Sequence, residues 1–330
     1  MISDEDWNSL EATIKKYNKF IITTHINPDG DGIGSELGIF WILKKLGKDV
    51  LIINDSPTPQ FYKFLDPKDE LIKQYDEKYC EIILKTDVVI LMDISNSERL
   101  GRLSEIIKRS DAIKVVIDHH HCNSGWGDVN IVDENASASG EIVYNLVKRF
   151  GLEIDLRMAT DLYVAILTDT GSFRFSNTNK RAHFICGELL EKGINPREIY
   201  GHIYESYSWE RMILFSKSLS SIRKIAGGKV SSIYITVEMM ETSGAKREDI
   251  EGFVEYITTL KDVEIAILFL ELSTRKVKVS LRSKLNYDVN KIAEVFGGGG
   301  HKNASGIVFK DSTLEEAQDM VFSEVEKVVK

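Results

Sequence analysis

The sequence predicts an α/β fold in two domains, in which a helical linker joins a parallel-sheet domain to a smaller α/β domain. A chain of 330 residues suggests two domains rather than one. Almost continuous apolar runs, such as residues 86–93, are typical of strands that are buried on both faces of a parallel sheet. Residues 229–329 alternate strand and helix patterns and carry an apolar pattern of their own, which indicates a second α/β unit.

The first domain is predicted over residues 1–190, where strand patterns alternate with helix patterns. The apolar segment at residues 156–168 has a periodicity that leaves strand and helix open. Ser137, Ser139 and Glu141 are expected to supply capping groups for a helix over residues 137–150. Strands are expected at residues 20–24, 49–53, 86–93 and 112–117, and further helices at residues 4–18, 36–46 and 98–109.

The linker is predicted over residues 191–228, because residues 180–222 have a helical pattern that Asn195-Pro196 interrupts. Gly227-Gly228 is expected to be a hinge into the second domain, which would span residues 229–330. Strands are expected there at residues 229–238, 263–271, 276–282 and 305–309, and helices at residues 247–259, 288–296 and 313–329.

Composition and charge narrow the classes of function. The net charge of -9 argues against a general binder of duplex DNA, since such a protein needs a broad basic face. The sequence shows no apolar run of transmembrane length and no signal-peptide pattern, so we expect no membrane partner. The 3 cysteines lack metal-motif spacing, which indicates a reducing compartment, and we predict a cytoplasmic protein.

A segment rich in glycine and aspartate follows the first predicted strand. His25, Asp29 and Asp31 are expected in a turn at the carboxyl end of that strand, where open α/β sheets bind ligands. One imidazole with several carboxylates suits a divalent cation such as Mn²⁺, Mg²⁺ or Zn²⁺. The glycines between them would let the backbone turn tightly and approach a ligand. The alternative is an ordinary turn rich in aspartate and glycine that binds no ligand. An interpretation as a phosphate-binding loop is weak, because the segment lacks the lysine that such a loop uses to reach a phosphate.

Further acidic and imidazole groups follow three other apolar segments. Four such segments in one domain favour ligation or acid–base chemistry over polar loops and an ordinary aspartate at a helix end. The number of groups suits two metal ions that share a carboxylate, and ions about 3.5–4 Å apart can activate a water for displacement at phosphorus. The further groups are Asp93, Asp118, His119, His120 and Asp169.

A run of four glycines, Gly297–Gly300, is the main feature of the second domain. Backbone N–H groups in such a run can form an anion-binding nest, although a bare glycine run more often forms a flexible loop. The adjacent His301 and the strand residue Arg282 favour contact with a phosphate or nucleotide. We therefore predict substrate binding by Arg282, Gly298, Gly299, Gly300 and His301.

With these segments in view, the chain resembles the DHH family of phosphoesterases, and within it the proteins with a DHH-associated domain of the nanoRNase/pAp phosphatase and cyclic-dinucleotide phosphodiesterase type. The resemblance covers the chain from about residue 18. The motifs that carry it are THINPDGDGIGS (24–35), LMD (91–93), DHH (118–120), LTDTGSF (167–173) and GGGGHKNASG (297–306).

The resemblance implies a role for each site residue. Asp118 would orient a histidine from behind the ligands, and His120 would face the phosphate as a positive stabiliser or as an acid for the leaving oxygen. The family also implies two divalent ions, with Mn²⁺ the usual one. No role is implied for His121. One ion would be held by His25, Asp29 and Asp93, and the other by Asp31, Asp93, His119 and Asp169.

The resemblance implies two related activities. One is hydrolysis of short oligonucleotides such as nanoRNA and pApA to mononucleotides, together with conversion of pAp to AMP and phosphate. The other is a cyclic di-AMP phosphodiesterase. Three other classes of protein are less consistent with the sequence. The intact candidate ligands argue against a catalytically inactive binding module, and the glycine-rich second domain argues against an inorganic pyrophosphatase. The sequence shows no basic channel or extra strand-binding domain of the kind that a long-chain exonuclease needs. A homodimer is left open.

Overall fold

The computed structural model describes residues 2–120, 125–284 and 287–329, without the side chain of His301. The chain divides into two compact units, one up to Ser206 and one from Tyr207. Within the described residues, no helix is both long and apolar enough to cross a membrane.

A six-stranded sheet forms the centre of the first unit, with the strand order β3-β2-β1-β4-β5-β6. All neighbouring strands in it are parallel. The strand order changes direction between β1 and β4, and open α/β sheets bind ligands at such a point. The strands are β1 (Lys19–Thr23), β2 (Asp49–Asn54), β3 (Ile72–Gln74), β4 (Val88–Met92), β5 (Ile113–Asp118) and β6 (Val129–Val132).

Helices cover both faces of this sheet. Alternate residues of one strand reach separate cores, so that Ile22 packs in the larger cluster and Ile21 in the smaller one. The continuous apolar runs in the sequence therefore correspond to strands that are buried on both faces, as predicted. The helices are α1 (Asp4–Lys16), α2 (Gly30–Lys45), α3 (Cys80–Leu84), α4 (Leu103–Arg109), α5 (Ser139–Arg149), α6 (Leu156–Asp169), α7 (Lys180–Leu190) and α8 (Pro196–Tyr204).

Two expectations for the first unit are wrong. Helix α2 begins at Gly30 rather than at residue 36, because Asp29 caps it and its glycines pack where a side chain would not fit. Helix α5 has Ala138 at its N-cap, so Ser137 and Ser139 do not cap it, although Glu141 does bond back to the backbone of Ser137. Residues 156–168, for which the sequence left strand and helix undecided, lie in helix α6. The short strands β3 and β6 were not expected.

The second unit contains a mixed sheet with the order β11-β12-β10-β9-β8-β7. Strands β8 and β9 are parallel, and the other pairs are antiparallel. One face packs on the last two helices and the other on the helices that precede β9. Its elements are α9 (Trp209–Ser220), β7 (Arg223–Ile225), β8 (Val230–Ile235), α10 (Val237–Ser243), α11 (Phe253–Thr258), β9 (Ile265–Ser273), β10 (Lys276–Ser283), α12 (Val289–Val295), β11 (Gly299–His301), β12 (Ala304–Phe309) and α13 (Leu314–Val328).

The hinge predicted at Gly227-Gly228 is wrong. These glycines lie in the turn between β7 and β8, which pair as an antiparallel hairpin inside the second unit. Both have positive φ angles, +65° and +94°, so the tight turn accounts for them. The predicted domain boundaries at residues 190 and 228 stay predictions.

Candidate metal centre

The predicted ligands of the first unit meet at the carboxyl edge of its sheet, where β1, β4 and β5 end. His25 follows β1, Asp93 follows β4, and Asp118 is the last residue of β5. Because β1 and β4 are neighbours at the point where the strand order changes direction, their carboxyl ends open a crevice between the connecting segments.

Asp93 lies at the centre of the site. Its backbone has a φ of +57°, a conformation that non-glycine residues rarely adopt, and its amide donates to the carbonyl of Ile117 at 2.9 Å. Oδ2 of Asp93 lies 3.5 Å from Nε2 of His25, whereas Oδ1 lies 3.6 Å from Nε2 of His119. One buried carboxylate therefore presents its two oxygens to two different sets of groups.

The first set consists of His25, Asp29 and Asp93. Asp29 caps α2, with Oδ1 accepting from the amides of Asp31 and Gly32, while Oδ2 lies 3.7 Å from Nε2 of His25. His25 is buried, and its Nδ1 lies 2.9 Å from the carbonyl oxygen of Ile26. Since a carbonyl can only accept, Nδ1 carries a proton and Nε2 faces the carboxylates.

The second set consists of Asp31, His119 and Asp169, beside Oδ1 of Asp93. Nε2 of His119 lies 3.6 Å from Oδ2 of Asp31 and 3.5 Å from Oδ2 of Asp169. Asp31 is in the first turn of α2 and Asp169 is the last residue of α6. The sequence predicted a turn for Asp31; a helix holds it instead, and its carboxylate accepts from the first two amides of α5.

Asp118 bonds to the imidazole of His120 and to the backbone of His119. Its Oδ1 accepts from Nδ1 of His120 at 2.7 Å and from the amide of His119 at 2.9 Å, and the carboxylate is fully buried. The side chain of His120 is 36% exposed. Burial alone would lower the pKa of His120, but the hydrogen bond that its ring donates to Asp118 raises this pKa to about 9.

The pKa shifts at the site reflect several buried carboxylates that lie close together without enough positive charge to balance them. Burial raises the pKa of Asp31 well above its usual range, and the charges on Asp93 and Asp169 add to this. Burial likewise raises the pKa of Asp169 to about 6. Burial would lower the pKa of His25, but Asp29 and Asp93 raise it to about 10. Each shift reduces net negative charge, which a bound cation would also do.

The two sets fit divalent cations. Nε2 of His25 and Nε2 of His119 are buried and have no hydrogen-bond partner among the described residues. Such orphaned nitrogens are costly unless something binds them. In each set, the candidate ligand atoms lie within 4.8 Å of one another. A third group, Asp93 with His119 and His120, meets the same criterion, but Nδ1 of His120 is already bonded to Asp118.

In the second unit, the last two glycines of the run lie in an edge strand rather than in a loop. Residues 299–301 pair with β12, and a Cβ at Gly298 or Gly300 would meet backbone atoms of β12 within 2.5 Å. Close approach of two strands therefore accounts for Gly298 and Gly300. Gly299 is exposed, with nothing within 4 Å of a Cβ built there. No packing requirement explains that glycine.

Arg282 lies on β10, which β12 separates from the glycine strand β11, and already has a carboxylate partner. Its Nε donates to Oε1 of Glu255 on α11 at 2.7 Å, and Nη1 donates to the carbonyl of Leu281. Its backbone pairs with Ala304, which is also the partner of residue 301. His121 and the side chain of His301 lie outside the described residues, so their predicted places stay predictions.

Sequence reasoning missed two side chains that hydrogen-bond to the candidate ligands, and it named Ser139 only as a helix cap. Ser139 donates from Oγ to Oδ1 of Asp93 at 3.1 Å, and Asn177 donates from Nδ2 to Oδ2 of Asp169 at 3.0 Å. Asn177 follows the LTDTGSF motif closely, but its role depends on how a loop folds back. No spacing rule in the sequence would have found either residue.

Family models and relatives agree with this architecture. The "DHH family, N-terminal domain" matches residues 19–167, and the "DHHA1 domain" matches residues 229–329. A relative from Thermus thermophilus, named bifunctional oligoribonuclease and PAP phosphatase NrnA, is 33% identical over 92% of this chain and 88% of its own length. The chain belongs to the DHH family.

Two further similarities cover most of this DHH protein. A Bacillus subtilis relative with the same name is 28% identical over 90% of this chain and 91% of its own length. The crystal structure of an exopolyphosphatase-related protein from Bacteroides fragilis superposes with a TM-score of 0.93 at 30% identity, covering 100% of this chain and 98% of the other. The two-domain α/β fold predicted from the sequence is thereby confirmed.

Proposed function

We propose that this DHH protein is a metal-dependent phosphoesterase that hydrolyses short oligonucleotides to mononucleotides and also converts pAp to AMP and phosphate. The observation that carries the proposal is the shared carboxylate of Asp93, whose two oxygens face two separate His/Asp sets. The printed names of the Thermus and Bacillus relatives support the choice of oligoribonucleotides and pAp as substrates.

The residues would divide between two divalent ions. His25, Asp29 and Asp93 would hold one ion, and Asp31, Asp93, His119 and Asp169 would hold the other. When bound, such a pair supplies an activated water and neutralises charge at the phosphate. Mn²⁺ is the ion we propose, because the family resemblance implies it and the imidazole and carboxylate donors present are compatible with it.

His120 is proposed as the group that protonates the leaving oxygen. Asp118 accepts from Nδ1 of His120, so Nε2 is the nitrogen left to face a substrate. The raised pKa of about 9 keeps the ring protonated at neutral pH, which is the form that a general acid requires. Asp118 thus orients the ring and supports its charge.

The nucleotide is proposed to bind the second unit at Arg282, Gly298, Gly299, Gly300 and His301. The ion pair with Glu255 holds the Arg282 guanidinium in place, and Nη2 stays available for a phosphate oxygen. Gly299 offers exposed backbone that a ligand can approach without meeting a side chain. A cytoplasmic location and a homodimer also stay predictions.

Product analysis on a substrate panel tests the proposal. The panel contains pAp, pApA, RNA of two to five nucleotides, long RNA, cyclic di-AMP, pyrophosphate and polyphosphate, each with Mn²⁺ and after exhaustive treatment with chelator. We expect AMP from pAp and pApA, mononucleotides from short RNA, and no turnover with chelator. The name of the Bacteroides fragilis protein makes polyphosphate the sharpest competitor.

The same panel gives the contrary outcomes. Faster hydrolysis of polyphosphate or pyrophosphate than of pApA would overturn the nucleotide assignment. Undiminished hydrolysis after removal of metal would overturn the proposed use of Asp93. A preference for cyclic di-AMP would support the alternative activity implied by the family resemblance.

A further inference from the structure

The segment Ala136–Gly140 contacts, through four of its five residues, four of the proposed metal ligands or the groups that hold them. We call these five residues the positioning segment. It connects β6 to α5 and ends in the first turn of that helix. Asp31 and Asp169 lie in α2 and α6, whereas Asp93 and His119 directly follow β4 and β5, so the ligands concerned belong to separate parts of the first unit. The positioning segment is therefore where their relative positions can be set.

Ser139 and Gly140 contact the two central carboxylates. The amide of Ser139 donates to Oδ2 of Asp31 at 2.6 Å, and the amide of Gly140 donates to Oδ1 of the same carboxylate at 2.9 Å. The hydroxyl of Ser139 donates to Oδ1 of Asp93 at 3.1 Å. Ser139 is fully buried, and it is thus bonded to one ligand of the second set and to the carboxylate that both sets share.

The other end of the positioning segment contacts His119 and Asp169. Nδ1 of His119 lies 3.3 Å from the carbonyl oxygen of Ala136, which assigns the proton to Nδ1 and leaves Nε2 to face the carboxylates. The carbonyl of Ser137 accepts from Nδ2 of Asn177 at 2.9 Å, and this same amide donates to Oδ2 of Asp169 at 3.0 Å.

An ion pair between the buried carboxylate of Glu141 and the partly exposed Arg181 holds the segment itself. Oε2 of Glu141 accepts from both the amide and the hydroxyl of Ser137 at 2.9 Å. Oε1 of Glu141 lies 2.7 Å from Nε of Arg181 on α7. Because a buried carboxylate is costly without a cation, this pair ties Glu141 to α7 and keeps the segment from shifting.

We propose that Ser139 is a positioning residue for the metal centre, fixing Asp93 relative to Asp31 so that the shared carboxylate presents one oxygen to each set. The inference rests on the proposed function for its metal ions. Helix capping does not account for the hydroxyl, since Ala138 occupies the N-cap of α5 and the Ser139 hydroxyl is bonded to Asp93. Partners behind metal ligands typically change metal affinity or activity by about 10–100-fold when removed.

The test compares two serine-to-alanine substitutions in the full chain. Ser139→Ala removes the hydroxyl bond to Asp93 and leaves the backbone bonds to Asp31. Ser110→Ala is the matched control, because Ser110 is also a buried serine of the first unit, and its hydroxyl donates to the carbonyl of Ile107 at 3.0 Å. Mn²⁺ affinity is measured by titration calorimetry on metal-stripped protein, and folding by thermal unfolding without metal.

We expect Ser139→Ala to weaken Mn²⁺ binding by about tenfold or more, while Ser110→Ala binds Mn²⁺ like the unsubstituted protein. Equal Mn²⁺ affinity in all three proteins would overturn the inference, as would equal weakening in both variants. Unsubstituted protein that binds Mn²⁺ but hydrolyses no nucleotide would contradict the proposed substrate alone, because the affinity comparison needs no substrate.

Discussion

The candidate metal centre of the first unit and the strand β11 of the second unit, which we call the glycine edge, both lie at the margin of a sheet, but different atoms define them. In the metal centre, imidazole and carboxylate side chains from four segments face one another at 3.5–3.7 Å. At the glycine edge, most of the predicted ligand groups are backbone amides, and the predicted cation, Arg282, is already paired with Glu255.

This difference determines how reliably each sequence pattern indicates a ligand-binding site. A buried aspartate at a strand end has few structural reasons to be there without a partner, so several of them together indicate a ligand. A glycine has many such reasons, including positive φ, tight strand contact and open space. Packing against β12 accounts for Gly298 and Gly300, and only Gly299 lacks such an explanation.

Asp93 gives the largest expected effect, because both ligand sets depend on it. We expect Asp93→Ala to abolish turnover and to weaken Mn²⁺ binding by more than the roughly 100-fold that a residue behind the ligands can cost. Calorimetry and pApA hydrolysis measure the two effects. Asp49→Asn is the control, since Asp49 is the exposed first residue of β2 and so lies at the opposite edge of the same sheet. Normal Mn²⁺ binding by Asp93→Ala would remove the basis of the metal centre.

His120 should behave differently from Asp93. We expect His120→Ala to retain metal and to lower kcat by about 10²–10⁴-fold, the range for a general acid. His183→Ala, an exposed histidine on α7, should leave kcat unchanged and serves as the control. Loss of metal equal to that in Asp93→Ala would make His120 a ligand instead.

The pH profile sharpens the role of Asp118. The Asp118 carboxylate stabilises the imidazolium of His120 and helps to raise its pKa to about 9. An acid must be protonated, so the rate falls as pH rises through that pKa. Asp118→Asn removes the carboxylate charge, which lowers the pKa of His120, and we expect the alkaline limb of the kcat profile to move to lower pH. An alkaline limb at the same pH in Asp118→Asn would assign that limb to another group.

The sequence predicted the parts that depend on local pattern. Buried strands and the residues directly after them follow from apolar runs, which is why His25, Asp93 and Asp118 could be placed at one sheet edge. The start of α2 and the bonds of Ser139 depend on contacts between distant segments, and a pattern in one segment does not report those. The edge strand β11 was hidden because glycine has low strand propensity, and pairing with β12 overrides it.

Arg282 tests whether the glycine edge binds substrate at all. We expect Arg282→Ala to raise the KM for pApA by about tenfold or more, since a charged hydrogen bond contributes roughly 1.5–3 kcal/mol. Hydrolysis of bis-p-nitrophenyl phosphate should change much less, because it lacks the second phosphate group. Lys276→Ala is the control, an exposed cation at the far end of the same strand. Equal slowing of both substrates would mean that the second unit does not select the nucleotide.

The smallest expected effects distinguish a glycine required for packing, Gly300, from a glycine proposed to contact a ligand, Gly299. Gly300 has a φ of +151°, and a Cβ there would lie 2.5 Å from the carbonyl oxygen of Ala304, so Gly300→Ala should lower the free energy of unfolding by about 1–3 kcal/mol. A Cβ at Gly299 meets nothing within 4 Å, so Gly299→Ala should change the free energy of unfolding by less than about 0.5 kcal/mol.

If a nucleotide approaches the backbone at Gly299, the added methyl group crowds the nucleotide, and the KM for pApA should rise about fivefold, the equivalent of roughly 1 kcal/mol. Thermal unfolding and initial rates on the same two variants measure both quantities. An unchanged KM in Gly299→Ala would mean that the glycines serve packing alone and that only side chains of the second unit contact the nucleotide.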